Sequence, residues 1–504
     1  MTESTETAIT AWLNELDDID VSWNTTNFAH CYLGRLPSEL LDSIVGYVQT
    51  SDLPAVARIS PKLRKLAEKH LYSWIDLKTK NDGSWSSPAC YDSAWMLYCT
   101  LGRRVDLAQG VKRFSVTLFD QEVSINIDTS ALFPGDTQLS SAAKVSLQHI
   151  LIGGRILQLL TNLEELCMKI SRYAFDSWWV LGENRARKEM APDPLAHLLP
   201  SFNHATAHTI QCAGLQRLTY LEFGGAEFHW ALAKSPCLRK ICLTRPCVIL
   251  SDGAPDEVNT SLKTLSMTAR STILRKNSHR YASFPSFLAH FPSLREITVR
   301  IYDFDADELP TRPDPLDDED ELDYTNLLDK ISAVAAILTK LDIGVYSDAE
   351  EDDTRANCYL RQVRPGPGFQ QFKALKSLSV PYQCLLGHTL SLVDTIPSPA
   401  TILAPNLKSL QVHCPQIYLY DWLARLETVQ HRLPELSSVA LRCQDPYGDS
   451  YNVFEFVHHD HRVKEVLTKI GIELYIEYRD QDWEEEWNDY DLKVLEAIGW
   501  LEGL

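Results

Sequence analysis

A short phrase recurs along most of this chain and constrains its fold more than any other feature. Each copy begins with leucine, has apolar residues at its fourth and sixth positions, and ends in an alternation typical of a strand with one buried face. We expect the leading leucine to pack behind that strand. The clear copies begin at Leu163, Leu218, Leu238, Leu262, Leu294, Leu338, Leu375, Leu407 and Leu436, and weaker copies begin at Val111 and Leu467.

Stretches with helical spacing precede many of these phrases, and a proline often stands just before the phrase. The stretches include Phe228 to Ala233, Phe284 to His290, Tyr324 to Leu338 and Tyr420 to Leu433. Proline ends a helix and directs the chain into the next strand. The pattern predicts an α/β fold, an irregular solenoid with parallel strands on the concave side and helices on the convex side. A doubly wound α/β domain also alternates strands and helices, but the chain lacks the glycine-rich strand-to-helix turn of that class.

A separate set of helix signals fills the stretch from Leu36 to Leu77. Pro37 suits a first helical turn, and Glu39 places negative charge at the positive end of the helix dipole. Ser60 and Pro61 form an N-cap and first-turn pair for a later helix. Three helices in so short a stretch bury too little surface to be secure alone. Exposed apolar residues here would be explained if a partner covered them.

The order and spacing of these residues resemble an F-box. The matching elements are L-P-x-E-L-L-x-x-I from Leu36, S-x-x-L-R-x-L-A from Ser60 and L-Y-x-x-I-x-L from Leu71. The resemblance implies binding to a Skp1-like adaptor and, through it, to a cullin-based ubiquitin ligase. By position, it implies that the adaptor-facing residues are Leu36, Pro37, Glu39, Leu40 and Ile44. The alternative is that these helices are a plain N-terminal cap of the repeat array.

The recurring phrase itself resembles the L-x-x-L-x-L core of leucine-rich repeats. The intervals between phrases run from 20 to 44 residues after Leu218, and the usual Asn or Cys ladder is mostly absent, so the array is irregular. This is similar to the divergent leucine-rich arrays that follow F-boxes in many fungal proteins. The predicted organisation is a leader at 1–32, a three-helix F-box module at 33–80, a linking segment at 81–110 and an irregular leucine-rich-repeat domain at 111–504.

The chain is acidic, with a formal net charge of -20. Nucleic acids and anionic membranes both attract clustered Lys and Arg, so neither is an expected partner. Much of the acidity lies in segments 303–323, which has eleven acidic residues and one arginine, and 348–353. Because like charges repel, both segments are expected to be exposed loops. They either keep the protein soluble or attract a basic segment of a target protein.

No pattern for catalysis, cofactor binding or metal binding is recognisable. Nucleophile-elbow, phosphate-loop, zinc-protease and dinucleotide motifs do not occur. His204 and His208 are four residues apart, and His458, His459 and His461 cluster, but neither group has a third ligand in a convincing pattern. The cysteines are scattered without a C-x-x-C pair, and no apolar run is long enough to span a membrane. We expect a cytoplasmic or nuclear protein with no catalytic, cofactor or metal residues.

These features together favour a non-enzymatic substrate receptor of an SCF-type (Skp1–cullin–F-box) ubiquitin ligase. The F-box would bind the adaptor, and the repeats would bind a target protein whose identity the sequence does not reveal. Ubiquitin transfer would then follow from proximity. The alternative is a leucine-rich scaffold that binds Skp1 without promoting ubiquitylation. A hydrolase or metal enzyme on an α/β domain is a third, weaker alternative.

Overall fold

The computed structural model describes residues 33–78, 89–118, 153–170, 213–224, 227–228, 230–249, 259–276, 278, 281–302, 322–346, 366–386, 397–413, 415, 417–443 and 462–478. These residues belong to two compact units. The first lies within Met1–Met267 and includes His290–Ser293, and the second combines Thr268–Ala289 with Leu294–Leu504. The leader at 1–32, the acidic segment 348–353, the acidic segment 303–323 except its last two residues, and both histidine groups lie outside the described residues.

Three helices begin the first unit, after a 3-10 turn at Leu33–Arg35. They are α1 (Ser38–Gly46), α2 (Leu53–Ala57) and α3 (Pro61–Ser73). The Oγ of Ser60 accepts a hydrogen bond from the N–H of Leu63 at 3.2 Å, so the predicted Ser-Pro pair does cap α3. The three helices share a small core in which every side chain is at most 3% exposed, formed by Leu41, Val45, Leu53, Leu63 and Ala67.

Six parallel strands form the sheet of the first unit. They are β1 (Trp74–Lys78), β2 (Arg113–Leu118), β3 (Glu165–Ile170), β4 (Tyr220–Gly224), β6 (Lys240–Leu243) and β8 (Thr264–Arg270), which pairs with β6 as far as Met267. Two short strands, β5 (Glu227–Phe228) and β7 (Val248–Ile249), pair only with each other. The connections contain α4 (Ala89–Arg103), α5 (Val105–Gly110), a helical stretch at 153–159, and 3-10 turns at Ala213–Arg217 and Trp230–Lys234.

The second unit has the same construction. Its strands β9 (Glu296–Tyr302), β10 (Lys340–Tyr346), β11 (Ser377–Pro381), β12 (Ser409–His413), β13 (Ser438–Cys443) and β14 (Glu473–Tyr478) each pair in parallel with the next. Its helices are α6 (Phe284–Ala289), α7 (Tyr324–Ile331), α8 (Tyr382–Leu386), α9 (Pro399–Ile402), α10 (Ile417–Ala424), α11 (Leu426–Val429) and a stretch at 462–469. Its 3-10 turns are Ser271–Leu274, Ser332–Val334 and Gln430–Arg432.

The prediction of an α/β fold with parallel strands is confirmed. Each clear phrase supplies a strand that begins at its third residue, as Leu218 leads into β4 at Tyr220, and the leading leucines are at most 6% exposed. The weak copy at Val111 leads into β2 in the same way. The weak copy at Leu467 is wrong, because Leu467 lies in the helical stretch at 462–469 and β14 begins only at Glu473.

A ladder of backbone hydrogen bonds aligns the amino ends of the strands. The carbonyl oxygen of the second residue in one phrase accepts the N–H groups of the second and third residues of the next. Thr339 and Lys340 both donate to the carbonyl of Arg295, at 2.8 and 3.0 Å, and Lys376 and Ser377 donate to that of Thr339 at the same distances. In the first unit the same pattern occurs at the carbonyls of Lys112, Glu164, Thr219 and Arg239.

Candidate functional site

The outward face of α1 carries a row of apolar side chains. Pro37 is the N-cap, and Leu40, Ile44 and Tyr47 follow at spacings of three and four residues, which places them on one side of the helix. Leu40 is 52% exposed, Ile44 44% and Tyr47 92%. A contiguous exposed apolar surface marks an interaction site more often than isolated apolar residues do. We call these four residues the α1 stripe.

The F-box resemblance assigned five residues to the adaptor, and three of them lie in the α1 stripe. Glu39 is exposed on the first turn of the same helix. Leu36 differs, because it is only partly exposed and packs against the core of the three helices, while its carbonyl accepts a hydrogen bond from the Nζ of Lys62 at 3.1 Å. Tyr47 was missed from the sequence, although its position three residues after Ile44 follows the same helical spacing.

Polar contacts on the other side of α1 hold it against α3. The carboxylate of Asp42 accepts a hydrogen bond from the Nζ of Lys69 at 2.5 Å and lies 2.8 Å from the Nε2 of His70. The hydrogen bond from Lys69 lowers the pKa of Asp42 more than partial burial raises it, and His70 lowers it further. Directly before Lys69 on α3, Glu68 accepts a hydrogen bond at 3.2 Å from Arg104, which lies just before α5. These contacts fix the α1 stripe relative to α3 and α5.

Helix α3 continues without a loop into the sheet of the first unit. Ser73 ends the helix, Trp74 begins β1, and β1 pairs with β2 along its whole length. The N–H of Lys112 donates to the carbonyl of Ser73 at 2.9 Å, and the guanidinium of Arg113 lies 4.4 Å from the centre of the Trp74 ring. The three helices that carry the α1 stripe are therefore joined directly to the first strands of this sheet.

Alternate residues of the parallel strands form a polar face in each unit. In the second unit, Asp342 of β10 pairs with Ser379 of β11, and Ser379 pairs with Gln411 of β12. Two residues farther along β12, His413 pairs with Arg442 of β13. The intervening residues point the other way into the core, so the polar face and the apolar face alternate along each strand. The apolar set is at most 1% exposed and includes Ile297, Val299, Leu341, Ile343, Leu378, Val380, Leu410, Val412, Val439 and Leu441.

A cluster of charged and hydroxyl groups lies within the polar face of the second unit. The Nη2 of Arg300 donates to the Oδ2 of Asp342 at 2.5 Å, and the Nε2 of His413 lies 2.7 Å from the Oγ of Ser379. Burial lowers the pKa of His413 to about 4; Arg442 and Arg300 act in the same direction, and Asp342 opposes them. The imidazole is therefore neutral at neutral pH.

The Ser, His and Asp of this cluster do not have the geometry of a catalytic triad. In a triad, one imidazole nitrogen faces the serine and the other faces the carboxylate, which orients the ring. Here Nε2 of His413 is the atom that faces both Ser379 and, at 4.0 Å, Asp342. The carboxylate is held instead by Arg300. These contacts join neighbouring strands.

The polar face of the first unit has its own charged centre at Glu222. Its carboxylate is contacted by the Nζ of Lys169 at 2.6 Å and accepts a hydrogen bond from the hydroxyl of Tyr220 at 3.2 Å. Burial raises the pKa of Glu222, but Lys169 and its other hydrogen-bond donors lower it more, so the group stays charged. Burial also raises the pKa of the neighbouring Cys167 to about 11, which leaves its thiol protonated and unreactive.

Among the described residues, no group of three or more His, Cys, Asp or Glu side chains is arranged to hold a metal ion. Within the same ranges, no helix is long and apolar enough to cross a membrane. No known family model matches the chain, and no curated protein matches it. The α1 stripe and the polar faces are therefore the surfaces from which a function has to be inferred.

Proposed function

We propose that this protein is a substrate receptor of an SCF-type ubiquitin ligase, with an F-box at 33–80 and an irregular leucine-rich-repeat array after it. The observation that carries the proposal is the α1 stripe, which is exposed and apolar at positions that the F-box resemblance assigns to a Skp1-like adaptor. The array would present a second surface to the target protein. In this role the chain needs no catalytic residue, because bringing the target to a ubiquitin-charged enzyme raises its effective concentration.

The energetics of the α1 stripe support binding to an apolar partner surface. Covering the exposed halves of Leu40 and Ile44 contributes roughly 1 kcal/mol each through removal of apolar surface from water. Tyr47 adds a nearly fully exposed ring with a hydroxyl group, a combination enriched among residues that dominate binding energy. The core of the three helices lies on the opposite side of α1, so a partner can cover the stripe without disturbing it.

The polar faces support the target-binding half of the proposal. Parallel strands with alternating side chains present regular rows of charged, hydroxyl and aromatic groups, which repeat proteins use as extended binding surfaces. In the second unit, Tyr475 is 51% exposed, and Arg442 pairs with Glu477 at 2.6 Å near the last strands. Exposed ion pairs of this kind are weak, so a target can replace them at small cost.

Co-purification with the adaptor tests the proposal. We expect the full-length protein to retain a Skp1-like adaptor, and the double variant Leu40→Ala, Ile44→Ala to lose at least about tenfold in affinity. Both side chains are half exposed, so the variant is expected to keep its fold. Val105→Ala is the matched control, because Val105 is an aliphatic side chain on α5 that is 58% exposed and lies outside the stripe.

Failure of the wild-type chain to bind the adaptor would reject the proposal. Equal binding by the wild type and the double variant would reject the α1 stripe as the adaptor site. A second measurement distinguishes the substrate receptor from the alternative, which is a scaffold that binds Skp1 without promoting ubiquitylation. Recovery of a cullin in the same complex, together with accumulation of a target when the chain is deleted, favours the receptor, and adaptor binding without either favours the scaffold.

A further inference from the structure

A groove at the amino ends of the strands in the second unit is positively charged, although the chain is acidic. It is a cavity of about 560 Å³ lined by residues that lead into β9 to β13. Its lining includes the cations Arg295, Lys373, Lys376 and Lys408 but only one carboxylate, that of Glu435. The whole chain carries a formal charge of -20, so a groove of the opposite sign is not a consequence of composition.

Most of the charge in the groove is not neutralised by described residues. Lys408 pairs with Glu435 at 3.0 Å, but both side chains are about half exposed and such pairs are weak. Arg295 donates to a backbone carbonyl at 3.2 Å, which leaves its charge uncompensated. The ammonium groups of Lys373 and Lys376 make no ion pair anywhere in the part of the chain that the structure describes. A ligand with negative charge would therefore meet cations that are available to bind it.

The backbone around the groove is already used by the ladder that aligns the strands. The carbonyls of Arg295, Thr339, Lys376 and Lys408 each accept two N–H groups from the next phrase. The side-chain amide of Asn406 donates to the carbonyl of Lys373 at 2.7 Å. A ligand in the groove cannot therefore extend the sheet through backbone hydrogen bonds, and recognition has to come from the charged side chains.

We propose that this groove binds an extended acidic segment of a protein through carboxylates at alternate positions. Arg295 and Lys408 precede strands that are three pairings apart, so at about 4.8 Å per pairing they are separated by about 14 Å. An extended peptide repeats each face about every 7 Å, so three alternate carboxylates cover the same length. A compact phosphate would instead need cations that converge on one point. The site lies in the second unit and does not depend on the proposed adaptor binding.

Fluorescence anisotropy with the full-length protein tests the groove. The probe is a labelled peptide of about seven residues in which Asp alternates with Gly, and the control peptide replaces each Asp by Asn. We expect the acidic peptide to bind, with affinity falling as salt rises from about 0.05 to 0.3 M because exposed charges are screened. Lys373→Gln, Lys376→Gln should bind roughly fivefold or more weakly.

A matched variant removes the same charge elsewhere in the second unit. Lys464 and Lys469 are exposed in the helical stretch at 462–469, and Lys464→Gln, Lys469→Gln should bind the peptide as the wild type does. Equal losses in both double variants, or equal binding of the neutral peptide, would overturn the proposal. Displacement of the peptide by tripolyphosphate or by a short single-stranded DNA at concentrations below the Kd of the peptide would overturn the assignment to an acidic peptide.

Discussion

The Nε2 atom of His413 lies 2.7 Å from the Oγ of Ser379, and the two side chains join β12 to β11 on the polar face of the second unit. Because this imidazole is only 15% exposed and faces Arg300 and Arg442, its protonation is unfavourable in the folded chain. In the unfolded chain the same histidine has the ordinary histidine pKa of about 6.5. The folded and unfolded states therefore bind different numbers of protons between about pH 4 and 6.5.

We predict that this difference makes the fold less stable in mild acid. The pKa of His413 falls to about 4, so the unfolded state binds one more proton between about pH 6.5 and 4 and the free energy of unfolding decreases as the pH falls through that range. The expected loss is on the order of 2 to 3 kcal/mol and levels off below about pH 4. Urea unfolding at a series of pH values measures it.

His413→Gln should show a shallower pH dependence than the wild type over this range. The exposed His431 on the 3-10 turn Gln430–Arg432 provides the control, and His431→Gln should follow the wild type. Asp342 does not obscure the result, since its pKa lies below the ordinary 3.8: burial raises it, but Arg300, Ser379 and His413 together lower it more. Parallel pH curves for the wild type and His413→Gln would contradict the prediction.

Adjacent leucines on α1 should respond very differently to truncation. Leu41 is fully buried in the core of the three helices, so Leu41→Ala leaves a cavity and should cost roughly 2 to 5 kcal/mol. Leu40 is 52% exposed in the α1 stripe, so Leu40→Ala should change stability by less than about 0.5 kcal/mol. Hydrogen exchange of the amides in α1 to α3 reports the two changes separately. A large loss of protection in Leu40→Ala would place that side chain in the core.

The buried ammonium of Lys330 should be a strong contributor to the stability of the second unit. Its Nζ donates to the carbonyls of Ile273, Arg275 and Asn326, at 3.1, 2.9 and 3.3 Å, and ties α7 to the turn at Ser271–Leu274. Lys330→Met keeps the length of the chain but removes the donor, so we expect a loss of roughly 1 to 3 kcal/mol. Urea unfolding measures the loss.

Lys340→Met is the matched control for Lys330→Met. Lys340 is exposed on a strand, and its ammonium does not donate to three backbone carbonyls among the described residues. We expect Lys340→Met to stay within about 0.5 kcal/mol of the wild type. Burial lowers the pKa of Lys330, so the unfolded chain keeps this proton to a higher pH than the folded chain does, and the free energy of unfolding of the wild type relative to Lys330→Met should increase as the pH is raised through that range. A Lys330→Met variant as stable as the wild type would show that the three carbonyls find other donors.

Two glycines with positive φ should tolerate alanine unequally. Gly368 has φ 101°, and a Cβ there would lie 2.9 Å from the carbonyl oxygen of Thr401 and 3.0 Å from the Cα of Ile402. Gly471 has φ 76°, and a Cβ there would meet nothing within 4 Å. Gly471→Ala should therefore cost about 1 kcal/mol of backbone strain, and Gly368→Ala roughly 2 to 5 kcal/mol because a backbone clash is added. Thermal unfolding of the two variants should rank them in this order.

The strands were predictable because the phrase places a buried leucine two residues before each of them. For example, Leu218 lies two residues before Tyr220, the first residue of β4, and Leu407 lies two residues before Ser409, the first residue of β12. The copy at Leu467 misled for a physical reason: Val463 and Leu467 are four residues apart and both buried, which is helical spacing. The two-residue strands β5 and β7 are too short for any periodicity to reveal.

The contacts between strands could not be read from the sequence. Asp342 and His413 meet because β10, β11 and β12 are neighbours in the sheet and pair with the third residues of their phrases in register, and the sequence pattern did not show which side chains this register brings into contact. The burial of Lys330 was likewise hidden, since its carbonyl partners are supplied largely by a turn more than fifty residues earlier. The F-box resemblance anticipated three residues of the α1 stripe, Pro37, Leu40 and Ile44, but not Tyr47, which lies outside the residues it assigned to the adaptor.

The backbone ladder has a consequence for how such a chain can change over generations. Two N–H groups and one carbonyl align the start of a strand with its neighbour in the same way across connections of different lengths. The phrases that begin at Leu294 and Leu338 are 44 residues apart, yet β10 pairs with β9 over seven residues without a slip. Insertions and deletions in the connections can therefore accumulate while the strands stay aligned.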